Sequence, residues 1–187
     1  MPVNRRMLVI AVSAALVFAT AITASALLPG SGGKDLSSRP IRPVWAETHW
    51  PFLVDPWGKG KAFRCKALDC GGEVHIYVRA KLGFCNCTTG IADDEDLDRM
   101  GDLDLIGGRA MPIGPGRPIT VGSMQGRSRI FSLSGRTVIA TAFNERCDMV
   151  AATTLLAHQH SPAIESAVID LLNSETMLKW TEVTLGL

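Results

Sequence analysis

The sequence lacks a charge excess of either sign. Its 19 Lys and Arg face 18 Asp and Glu, for a formal net charge of +1. A dedicated nucleic-acid binder usually concentrates a basic surplus on one face, so the balance argues against that class. The spacings that carry common chemistries are also missing. There is no Cys-x-x-Cys, no zinc-ribbon spacing, and no Gly-x-Ser-x-Gly around Ser128, Ser132 or Ser134. The stretch from Gly107 to Gly116 lacks the Lys-Ser/Thr of a phosphate loop and the Gly-x-Gly-x-x-Gly of a dinucleotide fold. No internal repeat and no heptad pattern runs along the 187 residues. These absences remove the usual grounds for proposing a hydrolase, a kinase or a dehydrogenase.

What is present begins at the N-terminus. Arg5 and Arg6 precede an uncharged run from Met7 to Leu28, after which Pro29, Gly30, Gly32 and Gly33 break any helix. A basic start, an apolar stretch and Ala24-Ser25-Ala26 read as a secretory signal with a cut after Ala26. The same run is long enough to span a bilayer as an uncleaved anchor, and both readings stay open. A buried core helix fits less well, because the run has no polar face. Lys34, Arg39 and Arg42 follow the run, so the positive-inside rule gives little orientation. Arg5-Arg6-Met7-Leu8 touches the twin-arginine pattern without its flanks. The organisation expected is a signal or anchor over 1–28, a Gly/Ser/Pro-rich linker over 29–46 and one domain over 47–187. Val44-Trp45-Ala46 offers a second cleavage site inside that linker.

The fold expected for 47–187 is α+β, an antiparallel sheet covered on one face and carrying one C-terminal amphipathic helix. Glu73 to Lys81 alternates strictly, with Val74, Ile76, Val78 and Ala80 on one side and His75, Tyr77 and Arg79 on the other. Short strands are expected near 119–121, over 127–133, 137–143 and 147–155, the last two joined by a loop at Asn144-Glu145-Arg146. Ser161 and Pro162 start a helix whose inner face is Ile164, Ala167, Val168, Leu171 and Leu172, with Asn173 at its end. Trp180 to Leu185 reads as a final strand.

Between linker and sheet lies 49–58, with Trp50, Phe52, Trp57 and two prolines. It suits neither helix nor regular strand. It is either an aromatic loop packed over the core or a recognition surface, since clustered exposed aromatics favour binding. Trp50, Phe52 and Trp57 are the candidate binding residues.

Five cysteines, Cys65, Cys70, Cys85, Cys87 and Cys147, allow at most two internal bridges. Outside the cytoplasm disulfides are the default. Cys65 can pair with Cys70, and Cys85 or Cys87 can reach Cys147, leaving one thiol over. A Cys85–Cys87 bond would strain so short a ring. The functional alternative is a thiol or soft-metal site at Cys85 and Cys87, with Cys65, Cys70 and His75 able to complete it. Asn86-Cys87-Thr88 also fits a glycosylation sequon. His158 and His160 form a His-x-His pair that loop polarity alone explains and that can bind metal weakly.

The acidic run Asp93-Asp94-Glu95-Asp96-Leu97-Asp98 fails the EF-hand test. Counted from Asp94, Arg99 stands where Gly is required and Leu105 where a bidentate Glu is required. A solvated short helix or loop with Leu97 and Met100 turned inward is the expectation. A calcium site of another type stays open.

The function expected is a non-enzymatic module on the periplasmic or extracellular side of a membrane. It is anchored or secreted through residues 7–28, binds an envelope protein or component, and uses no cofactor. The alternative is thiol-redox or soft-metal chemistry at Cys85 and Cys87. An enzyme of unrecognised type, using the acidic segment with Arg109, Arg117 or Arg127, ranks last.

Overall fold

Eight strands form an antiparallel sheet in the computed structural model of the chain. It describes residues 42–83, 86–157 and 160–187. The apolar run 7–28, most of the 29–46 stretch, Cys85 and His158 lie outside the described residues. The strands are β1 (Trp45–Thr48), β2 (Lys61–Cys65), β3 (Val74–Lys81), β4 (Met111–Pro112), β5 (Arg117–Val121), β6 (Met124–Leu133), β7 (Arg136–Glu145) and β8 (Asp148–Leu156). Their spatial order is β1-β2-β3-β8-β7-β6-β4, and β5 also pairs with β6. The helices are α1 (Ala67–Cys70), α2 (Asp94–Met100), α3 (Pro162–Leu172) and α4 (Glu175–Leu185), with a 3-10 turn at Leu103–Ile106.

Tight turns connect the long hairpins. Ser134 and Gly135 both take positive φ (49° and 80°) between β6 and β7, the conformation that two-residue hairpin turns require. In the next hairpin Glu145 pairs with Asp148, so the turn is Arg146-Cys147, with Arg146 at φ 54°. It falls one to two residues later than the Asn144-Glu145-Arg146 loop expected from sequence. Asn144 stays in strand, and its side-chain oxygen accepts from the Ile91 amide at 3.0 Å.

Strand alternation sends side chains to two packed faces. On one, Val74, Ile76 and Val78 of β3 join Val150, Ala152 and Leu156 of β8 and Ile139 and Phe143 of β7 under Ile164, Val168 and Leu172 of α3 and Met177 and Leu185 of α4. On the other, Leu97 and Met100 of α2 pack with Ile91 on Val138, Ala140 and Ala142 of β7, Met149 and Ala151 of β8, and Phe131 and Leu133 of β6. The sheet is therefore covered on both faces, not one. The small residues Ala140, Ala142 and Ala151 give the short helix α2 room to lie close.

The C-terminal end also departs from expectation. Residues 180–185 belong to helix α4 rather than a strand, so two helices follow the sheet. Thr181, Val183 and Thr184 favour strands as isolated residues. The register of Met177, Thr181 and Leu185, four residues apart, instead gives a buried helical stripe. The Ser174 hydroxyl accepts from the Met177 amide and caps the first turn.

Candidate functional site

The segment from His49 to Gly60 has no regular structure, so side chains must hold it. Trp50 and Phe52 meet edge to face at 5.2 Å, and both meet Tyr77 of β3 edge to face, at 6.2 and 4.7 Å. His75 stacks along the same strand, 6.3 Å from the Tyr77 ring. Gly60 makes this possible, because a Cβ there would stand 2.7 Å from the Trp50 ring and 2.1 Å from the Val78 carbonyl oxygen. Trp50, Phe52 and Trp57 are consequently half-buried. The residues facing water are their neighbours: Leu53 is 92% exposed and Val54 63%. Sequence reasoning weighed the aromatics and passed over these aliphatics, which only the bracing of the segment turns outward.

A turn closes the segment. Asp-Pro-x-Gly at 55–58 suits a tight turn, and the Gly58 amide donates to the Asp55 carbonyl at 2.9 Å. The Asp55 carboxylate has two partners. Oδ1 accepts from the Trp57 amide at 2.9 Å, and Oδ2 accepts from Arg79 Nη1 at 2.5 Å. Arg79 turns its other edge to Asp102, donating from Nε and, at 2.8 Å, from Nη2. Lys81, two residues on and therefore on the same face, reaches Asp102 Oδ1 at 2.6 Å and donates to the Met100 carbonyl at 3.0 Å. The Lys81 ammonium lies 6.0 Å from the Trp57 ring centroid, within range of a cation–π contact.

These groups line an open cavity of about 320 Å³, with Asp55, Trp57, Arg79, Lys81 and Asp102 in its wall. The Arg79 hydrogen bond, outweighing partial desolvation, holds the Asp55 carboxyl below its ordinary value. Burial works against the Arg79 charge, but its hydrogen bonds to Asp102 and Asp55 outweigh it and hold the guanidinium above its ordinary value. Alternation placed Arg79 on the outer side of β3. Its burial depends on Asp102, brought in by the turn after α2, which no local pattern announces.

The acidic run forms helix α2, with Leu97 and Met100 buried as expected. Asp93 caps the helix, accepting from the Asp96 amide at 2.9 Å, and Asp94, Asp96 and Asp98 are taken up by arginines rather than gathered around a common centre. Asp94 Oδ1 accepts from Arg127 Nη2 at 2.5 Å and Asp94 Oδ2 from the Gly116 amide at 2.9 Å; Asp98 accepts from Arg129 at 2.7 Å and Asp96 from Arg99 at 2.6 Å. The Gly116 amide and Arg127 together hold the Asp94 carboxyl below its ordinary value. Arg117 instead pairs with Glu165 of α3 at 2.6 Å. Arg117 is in register with Ser128, the strand neighbour of Arg127, so Arg117 and Arg127 lie on opposite faces of the sheet and do not converge. Arg109 is exposed. Glu165 also meets His160 at 3.1 Å and the buried Ser128 hydroxyl at 3.3 Å. The carboxylate bridges the two, with Ser128 on Oε1 and His160 on Oε2.

Cys65 is bonded to Cys70, joining the end of β2 to α1, and Cys87 is bonded to Cys147 in the β7–β8 turn. With its sulfur in that bridge, Cys87 offers no thiolate to a metal. Among the described residues no group of three or more His, Cys, Asp or Glu is placed to hold a metal ion, and no helix is long and apolar enough to cross a membrane. Compared with protein-family models, curated proteins and solved structures, the chain matches none.

Proposed function

We propose that the chain is an exported or membrane-anchored, non-enzymatic module that binds a protein of the cell envelope through the crest of segment 50–57. The observation that carries this reading is Leu53-Val54, an exposed aliphatic pair on a segment braced from beneath by Trp50, Phe52 and the Asp55–Arg79 ion pair. Exposed apolar side chains cost solubility unless they are used, and a segment already ordered loses less entropy on binding. The two disulfides fit an oxidising space outside the cytoplasm, and export is assigned to residues 7–28.

The test is a photo-crosslinking residue at position 53 of the full-length chain in intact cells. A second at exposed Val183 of α4 serves as control. One specific envelope-protein adduct at position 53, lost on Val54→Asp, supports the reading. The same adducts at both positions, or none at position 53, overturns it. The alternative proposal, thiol or soft-metal chemistry at Cys85 and Cys87, requires the Cys87–Cys147 bridge to open. Stoichiometric bound metal in the purified full-length protein would favour it.

A further inference from the structure

Arg79 holds two carboxylates of unlike standing. Asp102 takes the guanidinium side-on through two of its nitrogens and is itself held by Lys81; its side chain is 3% exposed. Asp55 takes only Nη1, comes from a turn in an irregular segment, and is 34% exposed. The first carboxylate belongs to the core. The second sits at the mouth of the cavity that Trp57, Arg79 and Lys81 line. Arg99 and Asp104 also line the cavity, giving three cations against the three carboxylates Asp55, Asp102 and Asp104; Arg99 is tied to Asp96 and Asp104 is exposed, and neither is bonded to Arg79. Withdrawing Asp55 takes one negative charge from the cavity and leaves a partly buried guanidinium edge with a free N–H beside an aromatic wall. Those are the features of a site for one carboxylate with an apolar neighbour.

We infer that the Arg79 cavity is a carboxylate-binding site in which Asp55 is a resident stand-in, displaced when the partner presents its own carboxylate. This rests on the docking reading above and names what the partner brings. Displacement breaks the Oδ2–Arg79 bond alone; the Gly58 and Trp57 amides still hold the turn at 55–58, so the Leu53-Val54 crest stays ordered for the partner. The incoming group is either a chain-terminal or a side-chain carboxylate.

The test uses the full-length chain in detergent with Asp55 replaced by Ala. Asp55→Asn is a second variant whose side-chain oxygen can still accept from the Trp57 amide and keep the turn. The probes are N-acetylglycine for a chain end, N-acetyl-aspartyl methylamide for a side chain, and N-acetylglycinamide as the uncharged control. In both variants the matching carboxylate raises Tm by about 2–4 °C and binds about tenfold tighter than to the unaltered chain. The amide does neither, and the tighter acid names the source. Equal responses of variant and unaltered chain, or an amide as effective as the acids, would overturn the inference. Loss of the carboxylate effect with the position-53 adduct intact sinks this inference alone; the converse sinks the docking reading alone.

Discussion

Arg79 and Asp102, 23 residues apart, bind each other through two hydrogen bonds while both side chains are almost out of water. Neither charge would be tolerated there alone. Asp102→Asn leaves Arg79 and Lys81 facing a neutral group, and we expect a loss of about 3–5 kcal/mol in urea unfolding. Adding Arg79→Met should recover part of that loss, because an apolar side chain of similar length no longer needs a counter-charge. A double variant no more stable than Asp102→Asn would contradict the account.

Gly60 supports the aromatic segment from below. Ala at this position puts a methyl against the Trp50 ring and into the Val78 carbonyl. We expect a loss of at least about 1–3 kcal/mol, with tryptophan emission moving to longer wavelength as Trp50 leaves Tyr77. An unshifted spectrum with unchanged stability would mean that Trp50 is not held there.

Acid should loosen two tethers together. Asp55 and Asp94 both have folded values below their ordinary 3.8. The stability they contribute is complete above that ordinary value and is lost as pH falls through the lower folded values. The Asp55→Asn/Asp94→Asn variant should start less stable at pH 7 and lose less between pH 5 and pH 2, read as the urea midpoint. Parallel curves for variant and parent would refute the assignment.

The two bridges should differ in worth. Cys87–Cys147 spans 60 residues and Cys65–Cys70 only 5. On chain entropy, removing the first costs about 4 kcal/mol and the second about 2 kcal/mol. Paired Cys→Ala variants compared by thermal unfolding check the order, and a reversed order would refute it. Alkylation of the unreduced, unfolded chain should label one cysteine, Cys85.

Much of the sheet was legible because alternation is a local signal. Val74, Ile76 and Val78 read directly as the inner side of β3, and Pro162 and Asn173 marked the ends of α3. The last helix was not legible by the same means. Thr181, Val183 and Thr184 carry strand propensity, and the Ser174 cap and the four-residue spacing of Met177, Thr181 and Leu185 outweigh it only once packed. The candidate site was half legible. Trp50, Phe52 and Trp57 announced an irregular aromatic segment. The Arg79–Asp102 pair and the Leu53-Val54 crest depend on contacts between distant segments, and no window of sequence contains them.

The disulfides, the export segment and the envelope partner all depend on where the folded domain resides. Cells should be lysed with thiols blocked at once, and the full-length chain recovered and its mass measured with and without reduction. The account predicts recovery from the envelope or the external medium, with the Cys65–Cys70 and Cys87–Cys147 bridges formed. Recovery from the cytosol with all five cysteines alkylated would contradict it.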